Sequence, residues 1–139
     1  RRMSDFNPFR RRIKRELSIT FMSGPLDGKK LAFEQPPVGE EHVITIGRRE
    51  GCDIHISFDN QISRVHARLG CISVPTPEDS FSISPYVLTF WLEDGGSRNG
   101  TFIEKDEDPI EGRVGIRPET LFRIGRTWLR LDIPIAYGE

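Results

Sequence analysis

Residues 61–69 read QISRVHARL and place a hydroxyl, a guanidinium and an imidazole within four positions: Ser63, Arg64 and His66. Three readings compete. A serine with a histidine base can act as a nucleophile, a serine with an arginine can grip an anion, and all three can be ordinary turn and strand residues. The nucleophilic reading also needs an orienting acid and oxyanion donors. Here Ser63-x-x-His66 leads into a strand rather than forming a nucleophile elbow, and nothing marks a third member, so neither enzymatic activity nor a catalytic residue is expected. Two other stretches share the unusual polar content. In IGRREGCD (46–53) a strand stops at Gly47 and Arg48 leads the turn; in EDGGSRNGTFI (93–103), Gly95, Gly96 and Gly100 allow backbone angles closed to other residues.

Such residues matter only if a rigid frame brings them together, and the rest of the chain describes that frame. Apolar residues alternate with polar ones in LSITFM (17–22), KLAFE (30–34), HVITIG (42–47), DIHISF (53–58), HARLGCISV (66–74), YVLTFWLED (86–94), TFI (101–103), LFRIG (121–125) and TWLRLDI (127–133). No window sustains the 3.6-residue period of an amphipathic helix, and Gly and Pro punctuate the chain at short intervals. Many short strands with frequent turns predict an all-β sandwich. In a sandwich, chemistry collects on the loops at one end. PTPEDSFSISP (75–85) is expected to be a polar loop between two central strands.

Bulk properties narrow the class further. A chain of 139 residues with 36% apolar and 29% charged residues suits one soluble domain. No stretch has the apolar length of a membrane span, and no signal-peptide run opens the chain, so an intracellular protein is expected, nuclear or cytoplasmic. Cys52 and Cys71 form no metal or redox motif; two free thiols are expected, with no metal and no cofactor. Residues 1–16 hold seven basic against two acidic side chains, a balance of +5; with −1 for the whole chain, residues 17–139 carry −6. The first sixteen residues read as a basic flexible arm or linker, cut from a larger chain, and 134–139 as a C-terminal tail. Within the arm, NPF (7–9) has the form of a short docking motif and RRRIKR (10–15) that of an import signal or phosphate-contacting stretch. Nucleic-acid contact is expected only through this arm, because the body is acidic.

Taken in order, GR at 47–48, S-x-x-H beginning fifteen residues after Arg48, and NGT at 99–101 resemble the forkhead-associated (FHA) domain. The likeness extends through TIGRREGCDIHI and SRNGTFI, and the closing RIGRTWLRL resembles that family's final hairpin, so residues 17–133 are covered. The resemblance implies an FHA-like (SMAD/FHA) antiparallel β-sandwich of about eleven strands that binds phosphothreonine peptides and mediates kinase-dependent interactions in signalling. It also implies roles. Arg48, Ser63, Arg64 and Asn99 bind the phosphopeptide, with Arg98 either joining them or pointing to solvent; Gly47, His66, Gly100 and Thr101 shape the loops. The chemistry of the residues agrees. A phosphate near −2 offers three acceptor oxygens; Arg48 supplies a planar fork, Ser63 a hydroxyl, Arg64 a second positive charge, and Asn99 an amide donor and acceptor for peptide backbone. Gln61 and Arg49 are read as rim residues. Thr76, followed by Pro77 and with Asp79 three residues on, would become a ligand of this kind if phosphorylated, which allows self-association. The alternatives are a scaffold of the same fold without binding and nucleic-acid contact by the arm.

Overall fold

The computed structural model describes residues 16–79 and 84–133. The expected arm (apart from Glu16), with its NPF and RRRIKR stretches, and the tail at 134–139 lie outside the described residues. Ten strands follow in order: β1 (Glu16–Phe21), β2 (Lys30–Glu34), β3 (Glu41–Gly47), β4 (Ile54–His55), β5 (Ala67–Pro75), β6 (Tyr86–Asp94), β7 (Thr101–Ile103), β8 (Arg113–Ile116), β9 (Leu121–Ile124) and β10 (Thr127–Asp132). They form two five-stranded sheets, in the orders β2-β1-β10-β9-β7 and β4-β3-β5-β6-β8.

Alternation explains how the sheets face each other, because successive side chains of a strand point to opposite faces. Leu17, Ile19 and Phe21 of β1, Phe122 and Ile124 of β9, and Leu129 and Leu131 of β10 fill the core from one side. Ile44, Ile46, Ala67, Leu69, Cys71, Phe90 and Leu92 meet them from the other. Each large aliphatic or aromatic side chain buried this way contributes about 1.5–3 kcal/mol. Burial also pushes the Cys71 thiol up to about 11, which keeps it protonated and unreactive; both cysteines are buried and free.

The all-β sandwich expected from the sequence stands, with three differences of detail. The described residues hold ten strands rather than about eleven. One pair is parallel: Ile46 and Gly47 of β3 lie beside Ile54 and His55 of β4. So short a connection can close a parallel pair because only two residues of each strand take part, and the chain retreats by only about 7 Å. For the same reason the expected strand at 53–58 shrinks to two residues, with Ile56 N–H donating to Gly47 O as the edge runs out. Finally, β8 escaped the sequence reading. Its alternation amounts to Val114 and Ile116 alone, and it is a strand because those residues pair with Leu92 and Phe90 of β6.

Register decides where the polar loops emerge. Ile46 of β3 lies opposite Ala67 of β5, and Ala67 lies opposite Asp94 of β6. The end of β3, the start of β5 and the end of β6 therefore share one row, and the loops 48–53, 56–66 and 95–100 leave from the same end. In the other sheet Thr101 of β7 pairs with Ile124, which pairs with Thr127, so the β9–β10 turn reaches that end too.

Leu92 of β6, between β5 and β8, is fully buried. Leu92→Ala should lower unfolding stability by about 2–5 kcal/mol through lost burial and the cavity left behind, measured by urea denaturation.

Candidate functional site

The first two loops are held together by main chain. Arg48 N–H donates to Ser63 O and Arg49 N–H to Arg64 O, both at 3.0 Å, and His66 N–H donates to Ile46 O at 2.8 Å. This ladder needs Gly47: a Cβ there would stand 2.1 Å from Arg64 O, so any side chain would push the loops apart. Within the 48–53 turn, Asp53 accepts from Thr45 N–H and its hydroxyl, while Asp53 N–H donates back to Thr45 Oγ1. The Arg48 side chain is exposed, and its Nε donates to Ile62 O at 3.0 Å. One edge of the guanidinium is thereby fixed and the terminal nitrogens are left for a ligand.

His66 joins the second loop to the third. It is fully buried. Its Nδ1 accepts the Ser63 backbone N–H at 3.0 Å, and its Nε2 donates to Gly100 O at 2.7 Å. A backbone N–H can only donate and a carbonyl can only accept, so the ring is the neutral tautomer protonated at Nε2. Both nitrogens are occupied by main chain, and neither reaches the Ser63 hydroxyl. That oxygen instead accepts the Arg98 N–H at 3.0 Å, which leaves the hydroxyl hydrogen free to donate.

The third loop is organised by Asp94. Its carboxylate accepts from Gly96 N–H, from Ser97 N–H and hydroxyl, and from the buried Thr101 hydroxyl. Gly100 has φ +84°, which L side chains rarely adopt, and its N–H donates to Ser97 Oγ. Asp59 does comparable work for the second loop. Buried, it accepts from Gln61 N–H at 3.0 Å and, across to the β9–β10 turn, from Arg126 N–H and the Thr127 hydroxyl at 2.7 Å each. Burial by itself would raise both carboxyls. It is outweighed by those hydrogen bonds, together with the charge of Arg126 beside Asp59, so both are held below the usual carboxylate range.

Arg48, Asn60, Gln61, Ile62, Ser63, Arg64, Arg98 and Asn99 line one shallow cavity of about 220 Å³. All five residues read as ligand-binding lie on it, Arg98 included. Asn99 differs from expectation in one respect. Its amide nitrogen donates to Gln61 O at 2.8 Å and lies 3.1 Å from Gln61 Oε1, so its donor is used within the protein and its side-chain oxygen remains for a peptide N–H. Gln61 is thus a partner of Asn99 as well as a rim residue. The sequence reading missed Asp59 and Asp94. Their signal was present as an Asp two or three residues ahead of the backbone N–H it accepts, but the reach of Asp59 to Thr127 spans 68 positions and has no local trace. Among the described residues no group of three or more His, Cys, Asp or Glu is placed to hold a metal ion.

A family model described as "FHA domain" matches residues 44–125. This chain belongs to the FHA-domain family. The match contains all three loops of the cavity. Solved FHA domains share the fold. That of the CT664 protein from Chlamydia trachomatis is 21% identical with a TM-score of 0.61, over 86% of this chain and 99% of its own. That of an Arabidopsis thaliana hypothetical protein is 23% identical with a TM-score of 0.63, over 91% and 92%. The yeast Dun1 FHA domain, solved with a doubly phosphorylated peptide derived from Rad53, is 19% identical with a TM-score of 0.62, over 99% and 89%. No curated protein matches the chain by sequence.

Two outcomes follow from this FHA domain's internal bonds. His66→Ala leaves Ser63 N–H and Gly100 O without partners and opens a void, so it should lower unfolding stability by about 3 kcal/mol, read by urea denaturation. The depressed Asp59 and Asp94 carboxyls contribute stability that is complete above the ordinary, unfolded-state value near pH 4 and is lost as pH falls through their lower folded values. Melting temperature should therefore fall more steeply below about pH 4 in the unmodified protein than in Asp94→Asn, which lacks one of the two titrating groups.

Proposed function

We propose that this FHA domain binds phosphothreonine-containing peptides and thereby recruits partners that an intracellular kinase has marked, with no catalytic step of its own. One observation carries the reading: Arg48, Ser63, Arg64, Arg98 and Asn99 converge on a single cavity, and none of its arginines is paired with a carboxylate among the described residues. The phosphate would take the terminal nitrogens of Arg48, the Ser63 hydroxyl and the charges of Arg64 and Arg98. The side-chain oxygen of Asn99 would accept a peptide N–H. Crystal structures of other FHA domains with phosphopeptides, such as the MEK1 domain with a HOP1 pThr318 peptide, support the same chemistry here. His66 supports it from the other direction, since its ring nitrogens hold loops rather than activate Ser63. A scaffold without binding would have no use for unpaired guanidiniums around a free hydroxyl.

Phosphorylated Thr76 remains a candidate ligand in a second copy. Its hydroxyl donates to Ser84 O at 2.7 Å and its N–H to Pro85 O at 2.9 Å, so a kinase must first open that loop. A subunit mass unchanged by complete Thr76 phosphorylation at high concentration would dispose of self-association.

Isothermal titration calorimetry tests the main reading. Phosphothreonine peptides should bind with micromolar affinity, near −8 kcal/mol, because only a few residues of a flexible chain are held. Unphosphorylated peptides should not bind. Arg48→Ala should weaken binding at least about thirtyfold, the loss of charge-assisted bonds worth about 2 kcal/mol or more. Binding should also weaken with added salt, and below about pH 6 as the phosphate takes up a proton. Unchanged affinity in Arg48→Ala would refute the assignment.

A further inference from the structure

The sheet β4-β3-β5-β6-β8 has a face that the sandwich core does not use. Ile44, Leu69, Cys71, Phe90 and Leu92 point into the core, so by alternation Val43 of β3, Ile72 and Val74 of β5, and Val87 and Trp91 of β6 point outward. Strands covered on both faces read as near-continuous apolar runs, whereas a solvated outer face calls for polar alternates. LGCISV (69–74) of β5 and VLTFWL (87–92) of β6 follow the first pattern. The outer face is nevertheless open: Val87 is 39% exposed, and Val43, Ile72, Val74 and Trp91 are half-buried.

Trp91 anchors this face. Its indole lies against Gly70, where a Cβ would stand 1.9 Å from the ring. Its Nε1 donates to Glu41 Oε2 at 2.8 Å, and the Arg113 guanidinium stacks over it at 3.9 Å. A large aromatic side chain held in this way offers apolar area with little left to order when a partner arrives.

The charges around it balance. Glu41 of β3, Arg68 of β5, Glu93 of β6 and Arg113 of β8 frame the face, two acids and two bases, on a body that carries −6 from residue 17 onward. A strongly acidic or basic partner gains nothing from a neutral frame, whereas an identical face does. Register also arranges the signs for self-pairing. Glu41 shares a row with Ile72 and Thr89, and Arg113 shares one with Glu93 and Arg68. Glu41 and Arg113 therefore stand at diagonally opposite corners of the span β3-β5-β6-β8. A two-fold axis along the other diagonal lays this face on its copy with strands crossing near a right angle, one of the two packings open to stacked sheets. The same axis sets each Glu41 against the Arg113 of the other copy.

We propose that the outer face of β3, β5 and β6 is the interface of a homodimer. A second copy of this chain covers Val43, Ile72, Val74, Val87 and Trp91, with reciprocal Glu41–Arg113 ion pairs at two corners. The proposal goes beyond the phosphothreonine reading and does not depend on it. The recognition loops leave from the ends of these strands rather than from their outer face, so the dimer presents two open cavities.

Sedimentation equilibrium of the chain with Thr76 unphosphorylated, from about 1 µM to about 1 mM, tests this. The mass should rise from one subunit to two across that range. Val87→Glu changes a solvent-facing side chain and should leave the urea midpoint unaltered. In the dimer it buries a carboxylate against an apolar surface, so the dissociation constant should rise at least about tenfold. Glu41→Arg and Arg113→Glu each oppose like charges and should weaken the dimer by about tenfold. The double variant exchanges the signs and should recover most of that loss. A single-subunit mass at every concentration would overturn the proposal and leave the face to a different occupant. So would a dimer indifferent to Val87→Glu, or charge reversals that the double variant fails to rescue.

Discussion

A neutral imidazole, closed off from solvent, ties the three recognition loops into one body. His66 donates its backbone N–H to Ile46 at the end of β3, and its carbonyl accepts from Gly95 at the end of β6. Its ring accepts a hydrogen bond from the N–H of Ser63 on one side and donates one to the carbonyl of Gly100 on the other. Few side chains offer a donor and an acceptor on opposite edges of a rigid plane, and this geometry sets the Ser63 turn at a fixed distance from the Gly100 turn. The Ser63 hydroxyl, the Arg98 N–H that it accepts, and the Asn99 amide that reaches Gln61 all inherit their positions from that bridge.

Charge is divided by role around the bridge. The acids face inward: Asp59 and Asp94 spend their acceptor capacity on backbone N–H groups and hydroxyls of the loops themselves. The cations face outward: Arg48, Arg49, Arg64 and Arg98 are exposed and without carboxylate partners among the described residues. An acid drawn into this cavity would neutralise the cations and compete with a ligand anion. Bonding the acids into the loop scaffold keeps them below their usual titration range and leaves the positive end available to a phosphate.

Legibility in the sequence follows how local each constraint is. The motif residues at 47–48, 63–66 and 99–101 stand out because each obeys a short-range demand. Gly47 makes room for the Arg64 carbonyl, and Gly100 takes a positive φ. Period-two alternation exposes the long strands for the same reason, since each residue reports its own face. Where the constraint comes from a distant partner, the local signal vanishes. β8 is a strand because β6 lies beside it, β4 stops where β3 ends, and Asp59 matters because Thr127 is near.

Residue types and their spacing by themselves determined that this is an all-β chain of the FHA kind, with an arginine, a serine and an asparagine on three polar loops. They could do so because turn chemistry and strand alternation act over a few bonds. Only the tertiary structure decided that the Asn99 amide is already held by Gln61, that His66 is a bridge between loops, and that Arg48, Arg49 and Arg64 line a second cavity beside the first. Those facts depend on the register that aligns Ile46, Ala67 and Asp94, and a register is a relation between strands that neither strand encodes alone.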